Sequence, residues 1–378
     1  MTNSKVTAVA AAVLACGITA AAAADFQMYG SIDNSLSYIK SKGQDGLFSM
    51  YASNDLSSKI GITGTEKLTN TMYVRFKLEN GFSPDTGAFA AKDTLFNRES
   101  SVTIGGSWGE LSMGRFGTLF TGIGTYGQIG KMGMNPCGTN WHDGAMSGAF
   151  TTTGQVNNAL VYQVSPTDNL TLTGLYSNGA EEKDWADEDH LYQAAVRWKT
   201  DDLTLGAIYS AIDYGNQTTT SSRDSKMSHN ILLIGNKAFG ATRVYLAYQH
   251  VENARQLGGG KAVFKARDLF STAAVRESRS ALDSDAYMIG VKQPVLGGSL
   301  AAKFMYLDAR WNGENVQGRD TQGNRYVVAA KYRYDLSKRT DVYLFASWAK
   351  GDGMFKNTEN TEATATRWMT AVGMSHRF

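Results

Sequence analysis

Proline is almost absent from this chain, with 4 in 378 residues beside 40 glycines. A proline costs a strand one ladder hydrogen bond, so a chain built from continuous paired strands has little room for it. Cysteine is nearly as scarce, at two residues, Cys16 and Cys137. An even, dense cysteine framework is excluded, and stability has to come from pairing and packing rather than cross-links. Net charge is also small, with 37 Lys and Arg against 35 Asp and Glu. That balance argues against nucleic acid as a partner. After residue 24 no segment reaches 18 consecutive apolar residues, and the mean hydropathy is −0.29. A helical membrane span is therefore excluded, whereas a membrane barrel is not, because only alternate strand residues face lipid.

Catalytic signals are missing too. The chain has no G-x-S-x-G, no H-E-x-x-H and no Walker loop. Its five histidines, at 142, 190, 229, 250 and 376, share no metal-ligand spacing. Gly258-Gly-Gly-Lys261 has the look of a phosphate loop but lies in a long polar connection without strand-to-helix context, and reads as a loop tip. No enzyme, cofactor or metal is expected.

What is present begins with an export signal. Residues 1–24 carry one cation, Lys5, then an Ala- and Val-rich run over 6–18, then Ala22-Ala23-Ala24. This is a signal peptide with cleavage expected before Asp25. The rival reading, a lipoprotein signal acylated at Cys16, matches Val13-Leu14-Ala15-Cys16 only loosely. Cleavage leaves Cys137 alone in the mature chain.

The remainder alternates with a period of two. Met72-Tyr-Val-Arg-Phe-Lys-Leu-Glu79 places Arg75, Lys77 and Glu79 on one face, and Tyr192-Gln-Ala-Ala-Val-Arg-Trp198 does the same with Gln193 and Arg197. Half-buried strands produce this pattern, and mid-strand cations are tolerated where one face meets water. A periplasmic β-sandwich would alternate as well, but runs of about 9–12 residues are long enough to cross a bilayer when tilted. Short connections, such as 68–71, 106–109, 165–169, 200–202, 237–240, 294–298 and 335–339, alternate with long ones. The long ones are 39–57, 81–96, 117–155, 178–188, 214–227, 253–283, 312–323 and 351–365. The count between them is about 16 strands, an all-β antiparallel transmembrane barrel in a single domain, 25–378. The final run, residues 367–378, is mostly apolar at even positions and ends in Phe378, as a strand closing on the first one (26–40) would be.

Several stretches resemble the general porins of Gram-negative bacteria, in particular the betaproteobacterial type. They are Met28-Tyr-Gly-Ser-Ile-Asp33, Ser58-Lys-Ile-Gly-Ile-Thr-Gly-Thr-Glu66 and Leu78-Glu-Asn-Gly-Phe82 with Asp85-Thr-Gly87. Phe96-Asn-Arg98, Leu111-Ser-Met-Gly-Arg115, Tyr332-Arg-Tyr-Asp-Leu-Ser-Lys-Arg-Thr340 and Gly373-Met-Ser-His-Arg-Phe378 complete an ordered set along the chain. The resemblance implies a homotrimer in the outer membrane and passive diffusion of ions and small hydrophilic solutes. It also implies delivery by the barrel-assembly machinery, with Phe378 as assembly signal, and a third long loop, 117–155, folded inward. Wall cations then face acids on that loop. Lys59 and Arg98 match the family's cations, and Arg75 shares their parity. Asp143 is the only carboxylate in the loop, so these four form the expected constriction, with Lys77, Glu79 and Arg197 lining the lumen elsewhere. The cations expected after the loop are replaced, since Gln155-Val-Asn-Asn-Ala159 and Val161 stand there. The transverse field should be weak and the preference mildly for anions. Arg115 reads as a structural latch near a subunit contact. Residues 253–283, with Lys261, Lys265, Arg267, Arg276 and Arg279 against Asp268, Glu277 and Asp283, read as a solvated surface helix ahead of the rival reading, a basic outer vestibule. The alternatives are a substrate-specific channel and an outer-membrane barrel hydrolase.

Overall fold

The computed structural model describes residues 25–138, 145–178, 189–214, 227–259, 264–265, 282–313, 320–356 and 366–378. Residues 1–24, with the expected signal segment and Cys16, lie outside it, as does Asp143. In chain order the elements are β1 (Asp25–Ser41), β2 (Leu47–Ala52), β3 (Lys59–Lys67), β4 (Tyr73–Gly81), β5 (Glu99–Gly106), β6 (Gly109–Gly117), α1 (Gln128–Lys131), β7 (Gln155–Val164), β8 (Leu170–Ser177), β9 (Asp189–Lys199) and β10 (Leu203–Tyr214). There follow β11 (Ser228–Phe239), β12 (Thr242–Ala254), a short hairpin β13 (Gln256–Leu257) and β14 (Phe264–Lys265), β15 (Leu282–Val295), β16 (Gly298–Trp311), β17 (Gln322–Asp335), β18 (Thr340–Gly351) and β19 (Arg367–Arg377).

Each strand pairs antiparallel with its sequence neighbour, and β1 pairs with β19 from Ser31↔Arg377 to Ser41↔Arg367. The sheet is therefore closed. No edge is left to face lipid, as a membrane strand requires. Both β2 and β3 pair with β1 on one side, β3 with its first half and β2 with its second. They form one interrupted stave, so 16 strands surround the lumen. Residues 47–52, expected within a long loop, are thus strand. The interruption is held by Asp33, which is fully buried. Its carboxylate accepts the backbone N–H groups of Asn54 (2.7 Å), Asp55 (3.4 Å) and Leu56 (3.3 Å) and the Tyr343 hydroxyl (3.0 Å). Asp33→Ala would strand these donors, each worth about 1–3 kcal/mol when buried unpaired. A loss of about 3 kcal/mol or more is expected, read as a lower unfolding temperature in detergent, and an unchanged midpoint would refute this role.

Alternation turns large apolar side chains outward. Phe76, Met113, Leu160, Val196, Leu233, Leu246, Ile289, Phe304, Leu344 and Val372 are all exposed on the outer face. Aromatic rings bracket this band. Tyr287, Tyr306 and Tyr326 lie level on three successive strands, with centroids 6.4 and 5.1 Å apart. Tyr38 meets Trp368 at 5.1 Å near the same end. Trp108 stacks on Tyr162 at the other end, beside a short turn. Two such girdles mark the two interfaces of a membrane barrel.

The short turns are tight. Leu296 (φ 49°) and Gly297 (φ 76°) join β15 to β16 as a two-residue hairpin loop with both central residues left-handed. A leucine there costs about 1–2 kcal/mol. Leu296→Asn should recover about 1 kcal/mol, and no gain in an unfolding titration would contradict the assignment.

Candidate functional site

The inner wall of β3, β4 and β5 carries a ladder of charge. Inward positions on β4 are Tyr73, Arg75, Lys77 and Glu79, two residues apart on one face. Glu79 is almost fully buried and is the centre. Its Oε1 accepts Arg98 Nε at 2.7 Å, and its Oε2 accepts the Tyr29 hydroxyl at 2.7 Å. Lys59 Nζ lies 3.4 Å away and Lys77 Nζ 3.9 Å. Lys77 also reaches Glu99 at 3.0 Å. Lower on the wall, Arg75 donates to Glu110 Oε2 at 2.9 Å, joined there by the Tyr73 hydroxyl at 2.8 Å. The predicted residues Lys59, Arg75, Lys77, Glu79 and Arg98 therefore share one surface. Arg197 stands apart on β9, bonded to Thr171 Oγ1 and Gln128 Oε1, both at 3.2 Å. Asp143 lies outside the described residues.

The acid side differs from the sequence expectation. Carboxylates sit on the wall itself, at Glu79, Glu99 and Glu110, interleaved with the cations. Glu99 and Glu110 escaped sequence reasoning, although both have inward parity next to strand ends. Each was hidden by adjacency to a turn or a motif, and only cross-strand register brings them beside Lys77 and Arg75. Around Glu79 and Glu99 three cations meet two carboxylates. Arg197 and Lys131 have no carboxylate within ion-pair reach among the described residues. The balance on this wall stays positive.

Residues 117–138 and 145–154 run inside the barrel, where Thr125 donates to Glu99 from its N–H (2.8 Å) and hydroxyl (2.6 Å) and Tyr126 to Glu110 Oε1 (3.0 Å), and they also bond the inner faces of β9, β11, β12, β16 and β17. Backbone groups of this segment are satisfied by wall side chains. The Gln193 carbonyl accepts Leu119 N (2.8 Å), and that of Gln249 accepts Thr151 N (2.7 Å). Asn236 donates to Met132 O (2.8 Å), and Arg325 Nε to Gly148 O (2.8 Å). Lys303 donates to Asn135 Oδ1 at 2.6 Å, while Lys331 pairs with Asp55. Buried backbone groups need such partners. Their signal in sequence is polar residues at inward parity interspersed with apolar ones, as in Ser228, Asn230, Leu232, Ile234 and Asn236 of β11. Phe116, Leu119, Phe120, Met132, Met134 and Phe150 fill the space between the segment and the wall. Methionine suits irregular gaps, which accounts for its abundance here. Leu257 of the β12–β15 connection and Met354 and Phe355 after β18 join the same cluster. Residues 253–259, read from sequence as part of a solvated segment, thus reach the apolar interior, because Gly258 N bonds Thr151 Oγ1 and Thr152 N bonds Gly258 O.

Near the ladder, Lys131 closes α1. Burial and the nearby Arg197 pull its ammonium down to about 8, and its Nζ lies 5.8 Å from the Tyr126 ring centroid. Arg115 points outward on β6, bonding Asn97 O at 2.8 Å and the Asn157 side chain. Phe378 is outward and half exposed, and exchanges both backbone hydrogen bonds with Gly30 (3.0 and 3.1 Å).

Comparison with known proteins agrees with this architecture. An outer membrane porin protein of Bordetella pertussis is 27% identical over 405 residues, covering 99% of this chain and all of the relative. The fold matches the anion-selective porin from Comamonas acidovorans with a TM-score of 0.65 at 17% identity, over 94% of this chain and 100% of that one. It also matches OmpT of Vibrio cholerae in its trimer form, with a TM-score of 0.59 at 15% identity over 94% and 100%. The family model for Gram-negative porins matches residues 8–354. With a closed barrel of 16 strands and a charged inner wall, the chain belongs to the Gram-negative porin family and is a porin of the outer membrane.

Proposed function

We propose that the barrel is a water-filled, weakly anion-selective diffusion pore for ions and small hydrophilic solutes. It acts as a homotrimer without catalytic activity, and segment 117–155 narrows its lumen. The observation that carries the reading is the excess of cations over carboxylates on the β3–β5 wall, with Lys131 and Arg197 adding uncompensated charge. Over a Debye length of about 8 Å at physiological salt, such groups bias the ions that pass. The anion selectivity of the Comamonas porin that shares this fold supports the sign, and the OmpT trimer form supports the assembly. Residues 1–24 would be removed on export, and the barrel-assembly machinery and membrane lipids would be its partners. The purified mature protein, reconstituted in planar bilayers under a salt gradient, should show a reversal potential of anionic sign that shrinks in high salt. A cationic sign would overturn the proposal.

Orientation has its own test. Asp85→Cys, in a long connection, should react with an impermeant thiol reagent on intact cells, and Thr69→Cys, in a short turn, only after the outer membrane is broken. The reverse would invert the barrel.

Lys131 makes the preference pH-dependent. Its ammonium sits at about 8, so its charge is present below that pH and lost as pH rises through it. Anion preference should weaken between about pH 7 and 9, and Lys131→Gln should flatten the profile in that range. A profile unchanged by the substitution would assign the titration elsewhere.

A further inference from the structure

Residues 117–138 and 145–155 present a second surface, lined by none of the ladder residues. Between these two arms and the wall residue Ser57 lies a cavity of about 290 Å³. Ligand pockets run about 300–1,000 Å³, so this one suits a small solute. Among the described residues no Asp, Glu, Lys or Arg lines it. Its apolar side is formed by Ile123, Ile129 and Met146. Its polar side chains are Ser57, Thr121, Asn135, Thr152, Thr153 and Gln155, of which Thr121 and Thr153 already bond Thr118. Asn135 spends its carbonyl on Lys303, which leaves its two amide hydrogens open to the cavity. The side chains of Thr152 and Gln155 make no hydrogen bond to the protein among the described residues. Neutral donors and acceptors without protein partners, set against an apolar wall, are the composition of a small-molecule site. The floor is made by glycine. A Cβ placed on Gly154 would meet nothing within 4 Å, so that glycine opens space instead of relieving a clash.

We propose that this cavity is a binding site for small uncharged polyhydroxylated solutes of monosaccharide size, whose hydroxyls meet Asn135, Thr152 and Gln155 and whose C–H face meets the isoleucines and Met146. An ionic solute gains nothing from a lining without charge, whereas a sugar presents both a polar edge and an apolar face. The site rests on the reading of the chain as a diffusion pore and adds a neutral-solute station beside the ion path. Weak binding is required of it, because a transport site must release what it captures.

The test is single-channel current in the presence of D-glucose. A solute that does not bind lowers the current only in proportion to bulk conductivity. Glucose is expected to lower it further, saturably, with half-effect at about 1–100 mM, the millimolar range of weak complexes. Gly154→Trp, whose Cβ would meet no protein atom within 4 Å, places a large ring at the cavity and should weaken the saturable component at least ten-fold, while its reversal potential keeps the native sign because the ladder is untouched. Thr152→Val with Gln155→Ala removes polar partners without filling the space and should raise the half-effect concentration in the same direction. A native channel that follows bulk conductivity alone overturns the site and leaves the pore reading intact. Saturation that survives in both variants also overturns it. A protein with no conductance at all removes the pore reading and the site together.

Discussion

Replacing Lys59 and Arg98 together by glutamine is expected to move the reversal potential from anionic toward zero, without closing the pore. The physical basis is what the pair leaves behind. Glu79 is buried at the ladder's centre, with Arg98 at 2.7 Å and Lys59 at 3.4 Å. With both cations gone, Glu79 and Glu99 face only Lys77, which lies 3.9 and 3.0 Å from them. One cation then opposes two carboxylates. A unit charge about 4 Å from an ion's path is worth about 1 kcal/mol even in bulk water. Two such changes, partly screened, correspond to a shift on the order of ten-fold in the permeability ratio. Glu79→Gln is the opposite arm: it keeps the acceptor for Arg98 and removes the charge, so anion preference should rise. Should the double substitution leave the potential in place while neutralising residues of 253–283 moves it, selection lies at the outer mouth instead.

Phe378→Ala is expected to cut the yield of folded barrel several-fold while the channels that do form conduct normally. Phe378 closes the seam. Its N–H and C=O both pair with Gly30, and its ring lies over that glycine so closely that a Cβ there would stand 2.3 Å from the ring edge. The aromatic fills the space the glycine vacates. Gly30→Val is a matched test from the other strand, because its side chain would meet both the Phe378 ring and the Lys59 carbonyl, at 2.8 Å. Both variants should lose heat-sensitive trimer from the membrane fraction, and normal trimer levels in either would separate the seam from assembly.

Much of the barrel was legible because its physics is local. A strand whose alternate residues face lipid and water must alternate in sequence, and closure demands short turns between such strands. Hence the parity of Arg75, Lys77 and Glu79, the pairing of the last run with the first, and the stave count could all be read from spacing. The interrupted second stave could not. Residues 47–52 look like loop until Asp33, on the neighbouring strand, takes up the backbone of 54–56 and lets the strand resume.

The ladder shows the same division. Sequence parity assigned which side chains enter the lumen, a property each strand settles by itself. It did not assign which of them touch. Glu79 meets Arg98, and Glu110 meets Arg75, across strands 19 and 35 residues apart in the chain, and only the register of the closed sheet makes those pairs. The inner face of β8–β12 and β15–β17 likewise alternates between apolar and polar residues for a reason no single strand contains, namely residues 117–138 and 145–154 lying against it. What the sequence determined alone was the barrel, its inward and outward faces and its seam, because these follow from a repeat of two. Tertiary structure decided the partners of each charge, since Coulombic contact depends on register and shear, which no single strand encodes.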